Sequence, residues 1–414
     1  MITVKPFAAL RPTTQYVRQC AALPYDVMSS DEARVEVQGK PYSFLHIDKA
    51  EIDLDKSVDL YDERVYAKAA ENLQKFEADG VYVTDVRKKF YFYRQIMDGR
   101  AQTGIVGCAS IDDYIQGKIK KHELTRADKE LDRIRHVDTC SAQTGPIFLA
   151  YKASEELDAI IKAQTQKTPL YDFVADDGIQ HTVWDSDGVE VDKAIENAFS
   201  KLGALYIADG HHRAASAVKA GVKRREAKGN YDGTEEFNFF LSVIFPADSL
   251  KILDYNRLLK DLGGMTESEF LKSVENALGK LTKYTGEGAY RPKKTHEIGL
   301  YVGGAWYCVE FKSDICQAEK PSERLDCAIL QKELLSAVLG IHDPRTDKRI
   351  DFVGGIRGLE YLEKRCKEDM SAAIAMYPTT LDELISVADA GEIMPPKSTW
   401  FEPKLRSGIF IHKI

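Results

Sequence analysis

One stretch, Leu205-Tyr-Ile-Ala-Asp-Gly-His-His-Arg-Ala-Ala-Ser-Ala-Val218, limits the fold more than any other part of the chain. Four apolar or small residues from Leu205 to Ala208 predict a buried strand, and Arg213 to Lys219 predict a helix closed by Gly221. The turn between them is Asp209-Gly210-His211-His212. A strand that ends in a glycine turn and opens a helix gathers unpaired N–H groups and the positive end of the helix dipole at one point. Such a point suits a phosphate or a carboxylate, and Arg213 adds a planar, permanent cation there. The plainer reading is a capped loop, with Asp209 as N-cap and both histidines solvated. The run of versatile polar residues exceeds what a cap needs, which favours a site.

The rest of the chain supplies α/β patterning around this turn. Short strand-like pieces at Pro24-Tyr-Asp-Val27 and Tyr42-Ser-Phe-Leu-His-Ile47 flank a helix starting at Ser30, and Tyr25-Asp26 reads either as site residues or as a proline-primed turn, the turn being favoured. Tyr61, Val65, Ala69, Leu73 and Phe76 recur three or four apart and predict a helix ended by Gly80. Phe90 to Ile96, the turn Asp98-Gly99 and Thr103 to Ala109 predict an antiparallel hairpin. Strands at 146–151 and 180–184 alternate with helices at 155–167 and 190–201, the pattern of a compact α/β unit over 105–222. Beyond it come strands at 237–245 and 252–258, a helix at 266–280 and a Gly303-Gly304 hairpin over 297–311. Helices at 325–339 and 354–368, a strand at 371–376 and a Thr380/Glu383 capping box follow. Arg257 either reaches an anion or pairs with a surface carboxylate. The expected fold is α/β with mixed sheets, divided into 1–104, 105–222 and 223–414.

A second polar concentration runs from Lys120 to Arg135. Thr125 with Asp128 resembles a capping box, so His122 and Glu123 lie just ahead of a helix that carries Asp132 and Arg133. Position 126 is Arg, so the spacing is not the His-Glu-x-x-His of a zinc protease. Taken locally, Glu123 is equally a surface carboxylate at a helix N-terminus. A third concentration, Pro395-Pro-Lys-Ser-Thr-Trp-Phe-Glu-Pro-Lys404, sets lysines and hydroxyls in a proline-held loop that reads either as one wall of an anion pocket or as a solvated crossover.

These boxes carry a resemblance. Asp209-Gly-His-His-Arg-Ala-Ala215 resembles the phosphate-binding box of the ParB and sulfiredoxin superfamily, and most of all that of free L-serine kinases. His122-Glu123 ahead of its helix resembles the element that carries the general base in those kinases. Over nearly its whole length, including Met394 to Gly408, the chain is similar to a large bacterial family long catalogued as a domain of unknown function, some of whose members are pyrophosphate-dependent serine kinases. The reactive cysteine of sulfiredoxins is absent from the box, and the helix-turn-helix domain and basic surface of partition proteins are absent from the chain.

Composition agrees with a protein that handles small molecules. With 414 residues, 44% of them hydrophobic, and a net charge of -8, the chain can build a real core and is a poor partner for nucleic acid or an anionic membrane. Seven cysteines without a Cys-x-x-Cys pair, no long apolar stretch and no signal-like N-terminus point to a cytoplasmic protein.

The resemblance implies a phosphotransferase that gives O-phospho-L-serine from L-serine and pyrophosphate, ADP or ATP. No Walker loop, Rossmann fingerprint or protein-kinase motif marks a nucleotide, and pyrophosphate needs no adenine slot. In that reading Glu123, beside His122, accepts the serine proton, while Asp209, Gly210, His211, His212 and Arg213 hold the donor. Mg²⁺ bridges the donor oxygens, with Asp209 its ligand or anchor. Arg133, Lys397, Ser398, Thr399 and Lys404 bind the distal phosphate or the serine carboxylate. The competing readings are a phosphoserine phosphatase, a nucleotide-binding regulator without kinase activity, and a plain interaction protein.

Overall fold

The hairpin forms as its residues dictate. Asp98 and Gly99 both take positive φ, 51° and 76°, the twist that lets a two-residue turn join strands 91–97 and 100–110. In the computed structural model, which describes residues 1–414, this hairpin lies inside the larger of two units. The first unit holds 1–250 together with 403–414, and the second holds 251–402. This differs from the three segments 1–104, 105–222 and 223–414 expected from pattern, because strands from the first segment and residues from the last pack into the same body as the middle one.

The first unit is built on a nine-stranded mixed sheet. In chain order its strands are β1 (Val4–Lys5), β2 (Tyr91–Met97), β3 (Arg100–Ser110), β4 (Ile119–Lys120), β5 (Ile147–Tyr151), β6 (Tyr171–Val174), β7 (Gln180–Asp185), β8 (Leu205–Asp209) and β9 (Phe239–Pro246). Across the sheet they run β4-β8-β5-β9-β3-β2-β7-β6, with β1 beside β3. Only β4/β8 and β5/β9 are parallel pairs. Its helices are α1 (Glu63–Ala78), α2 (Ala127–Cys140), α3 (Glu155–Gln164), α4 (Val189–Ser200) and α5 (His211–Lys228). Phe92, Ile105, Leu149, Ile207 and Ile244 from the sheet meet Leu157, Ile195, Phe199 and Ala214 from helices in one core. A separate cluster joins Leu73 and Phe76 of α1 to Leu10, Phe44 and Tyr82.

Three local expectations change. Gly221 does not close α5, which runs on to a cap at Gly229. A Cβ at Gly221 would sit 2.3 Å from the Phe237 carbonyl oxygen, so the glycine marks a close approach inside the helix. Tyr42–Ile47 is not a strand: Leu45–Asp48 is a buried helical turn. At α2 the cap is Arg126 without a side-chain hydrogen bond, and the Thr125 hydroxyl donates instead to Glu130, which also holds Lys219.

The second unit is a six-stranded antiparallel sheet of β10 (Tyr255–Leu259), β11 (Gly279–Lys283), β12 (Glu297–Val302), β13 (Ala305–Phe311), β14 (Ile350–Gly354) and β15 (Ala372–Met376), ordered β11-β13-β12-β15-β10-β14. Helices α6 (Glu267–Leu278), α7 (Leu359–Glu368) and α8 (Leu381–Asp389) accompany it. The Thr380/Glu383 box at α8 forms with both its arms. All seven cysteines are free thiols, and no helix is long and apolar enough to cross a membrane.

Candidate active site

The turn after β8 places the charged groups. Gly210 takes φ 91°, a left-handed conformation open to glycine, and caps α5 with no side chain in the way. No side chain caps the first N–H groups of α5. Asp209 ends the strand and Arg213 lies one helical turn on, so Nη2 of Arg213 meets Oδ2 of Asp209 at 2.8 Å. Lys404 comes from the segment 403–414, and its Nζ lies 3.2 Å from the other oxygen of Asp209. Burial would raise the Asp209 pKa, but the Lys404 ammonium and the Arg213 guanidinium hold it down at about 2. Burial opposes the charge of Arg213, whose pKa is nonetheless raised by Asp209, Asp26 and Tyr25.

His211 and His122 are neutral hydrogen-bonding groups, not cations. Burial pushes His122 down to about 4 against the pull of Asp209. It pushes His211 well below the ordinary imidazole value, with His122 adding to the effect. Their rings meet edge to face at 4.5 Å. The His122 backbone N–H donates to Nε2 of His211 at 3.5 Å, which leaves the His211 proton on Nδ1. That Nδ1 points at Glu123, 3.6 Å from Oε2, and the Glu123 side chain is 44% exposed. A half-exposed carboxylate is thus set beside a neutral N–H whose tautomer the backbone fixes.

A cleft adjoins the turn, with Tyr25, Asp48, Arg133, Thr144, Arg213 and Ser216 in its walls. Arg133 pairs with Asp132 at 2.8 Å and lies over the Tyr25 ring at 4.1 Å. Thr144 donates to Asp48 at 2.7 Å. Six buried side-chain polar atoms in the chain have no hydrogen-bond partner, and three of them belong to the two polar boxes: Nδ1 of His122, Nδ1 of His212 and Nε of Arg213. Buried polar atoms are nearly always paired, so this concentration fits a polar ligand.

Of the residues singled out in the sequence, Glu123, His122, Asp209, Gly210, His211, His212, Arg213, Arg133 and Lys404 all belong to the first unit, and Lys397, Ser398 and Thr399 to the second. The proline-held loop is therefore shared between the two units. Pro24-Tyr-Asp-Val27 is not a strand: Tyr25–Val27 forms a short 3-10 turn, with Tyr25 under Arg133 and Asp26 close enough to act on the charges of Arg213 and His212.

No group of three or more acidic, histidine or cysteine side chains forms a metal cage. Mg²⁺ rarely needs one, since it keeps waters and rides on substrate phosphates through one or two carboxylates. The carboxylate at the turn, Asp209, already meets a cation on each oxygen, Arg213 on one and Lys404 on the other.

A family model described as "Protein of unknown function (DUF1015)" matches residues 4–328. No curated protein shows a significant match. Among solved structures, the chain is similar to a free serine kinase with a glutamate-to-glutamine substitution in complex with AMP, at 14% identity and TM-score 0.36, over 72% of this chain and 90% of that one. It is similar to SbnI with C-terminal truncation from Staphylococcus aureus, at 12% and 0.38, over 73% and 85%. A conserved hypothetical protein from Pyrococcus furiosus is similar at 16% and 0.35, over 73% and 93%.

Proposed function

The chain belongs to the DUF1015 family, and we propose that it is a phosphotransferase that moves a phosphoryl group from pyrophosphate, or from ADP or ATP, to the hydroxyl of L-serine. The observation that carries this reading is the meeting of Glu123, the neutral His211, and the Arg213–Asp209–Lys404 cluster at the N-terminus of α5. Phosphoryl transfer asks little more of a protein than positioning, charge and a base. The resemblance of the Asp209–Arg213 box to the ParB and sulfiredoxin phosphate box belongs to the same proposal.

The first N–H groups of α5, the fork of Arg213 and the ammonium of Lys404 hold the donor phosphates. Arg133, lining the same cleft as Arg213, takes the serine carboxylate. The serine hydroxyl oxygen attacks the terminal phosphorus as its proton passes to Glu123, and the bond from that phosphorus to the bridging oxygen breaks. The leaving group departs as phosphate or as the shortened nucleotide. His211 Nδ1–H orients Glu123, and the His122 backbone N–H keeps His211 in that tautomer. His212 Nδ1 offers one further polar contact to the donor. Mg²⁺ carried on the donor would supply charge neutralisation.

The test is a transfer assay with L-serine and Mg²⁺ and, in separate reactions, pyrophosphate, ADP or ATP, reading O-phosphoserine directly. Product with one donor establishes both reaction and donor. Phosphate released from phosphoserine, without product from any donor, would replace this reading with a phosphatase.

A further inference from the structure

The second unit holds a guanidinium that nothing in the protein neutralises. Arg257 is the central residue of β10, a strand buried along its whole length, and it is only 4% exposed. No carboxylate lies within 4.0 Å of it; its hydrogen bonds go to the carbonyl oxygens of Tyr255 and Lys397, the latter at 3.2 Å, and it sits 5.4 Å from the Phe352 ring centre. A buried charge left without a counter-charge is strongly destabilising, and proteins keep such groups rarely. Burial lowers the Arg257 pKa, with Cys327 and Tyr255 partly offsetting it.

The space in front of this group is a small pocket lined by the second unit alone, with Tyr255, Arg257, Cys327, Thr379 and Ser398 in its walls. Its walls also include Asp326 and Glu383, and both are already engaged. Asp326 accepts from the His296 backbone N–H and ring at 2.9 Å, and Glu383 closes the cap of α8. Lys397 takes φ 60°, a strained conformation for a residue with a side chain, and in doing so presents its carbonyl to Arg257. Its ammonium lies 5.6 Å from the Tyr255 ring centre. Ser398 holds the loop, donating to Pro395 at 2.6 Å and meeting the Cys327 thiol at 3.1 Å, while Thr379 donates to the Ser398 carbonyl at 2.9 Å.

We infer that this pocket is a binding site for a small oxyanion, the carboxylate or phosphoryl group of a metabolite, docked on the buried Arg257. The site is independent of the phosphotransfer reading, since it is complete within the second unit and is read by binding alone. Ser398, singled out in the sequence, stands in its wall.

The experiment uses the full chain and equilibrium dialysis of labelled inorganic phosphate, malonate and L-serine, each against the unaltered protein, Arg257→Met and Arg213→Met. Loss of one equivalent of bound anion in Arg257→Met, with a different equivalent lost in Arg213→Met, supports the site. Phosphate as the ligand lost identifies a phosphoryl group, and malonate or serine identifies a carboxylate. Unchanged stoichiometry for all three ligands in Arg257→Met overturns it. A second readout needs no variant: mass spectrometry of thiol labelling in the unaltered protein should show Cys327 protected about tenfold at about ten times the dissociation constant. An unchanged Cys327 rate at saturating anion would also refute the site.

Discussion

Replacing Asp209 with Asn tests the electrostatics of the first site most directly. The carboxylate stands between two cations whose side chains are each only 10% exposed, while its own is 29% exposed. Its pKa falls from the ordinary 3.8 to about 2, a difference worth about 2 kcal/mol of folded-state stability. Because the folded value is the depressed one, that contribution is complete above pH 4 and disappears as pH falls through 2, with roughly half gone by pH 3. Asp209→Asn removes it and also leaves Lys404 and Arg213 without their counter-charge, so the loss at neutral pH should reach about 3 kcal/mol, the lower edge of the range for a broken buried pair. Urea unfolding of both proteins followed by circular dichroism between pH 7 and 3 gives the comparison. The gap between them should narrow by about 1 kcal/mol at the acid end. A gap that does not change with pH, or no gap at all, would show that Asp209 is not the counter-ion described.

Glu123→Gln should lower kcat by about 10² to 10⁴ while leaving donor KM unchanged, as loss of a general base does, and steady-state kinetics with varied donor reads both. Gly221→Ala gains helix propensity of about 1 kcal/mol, yet its Cβ meets the Phe237 carbonyl at 2.3 Å. The net result should be a loss of about 2 kcal/mol in urea unfolding, and a stabilised variant would contradict the close approach. Tyr25→Leu removes the ring under Arg133 and should raise serine KM several-fold through a loss of about 1 kcal/mol, with donor KM unmoved.

What could be read in advance was whatever is encoded locally. The Asp98-Gly99 turn, the apolar stripe ending at Phe76 and the Thr380/Glu383 cap each carry their own backbone logic, and each is present. The strand, turn and helix around Asp209 were legible for the same reason. Gly221 misled because a glycine that ends a helix and one that admits a neighbouring carbonyl look identical in sequence. Leu45–Asp48 is helical although its apolar residues suit a strand, since a run that short follows its tertiary surroundings. The partnership of Lys404 with Asp209, the stacking of Tyr25 on Arg133 and the isolation of Arg257 depend on long-range placement, which no window of sequence contains.

The pairing of Asp209 with Lys404 spans 195 positions, most of them in the second unit. On a ribosome adding about 5 to 20 residues per second, the aspartate emerges roughly 10 to 40 s before the lysine that balances it. Through that interval the growing chain carries the Asp209–Arg213 box without its later cation. A chain halted or cut before Lys404 therefore keeps the box without the charge that sets it.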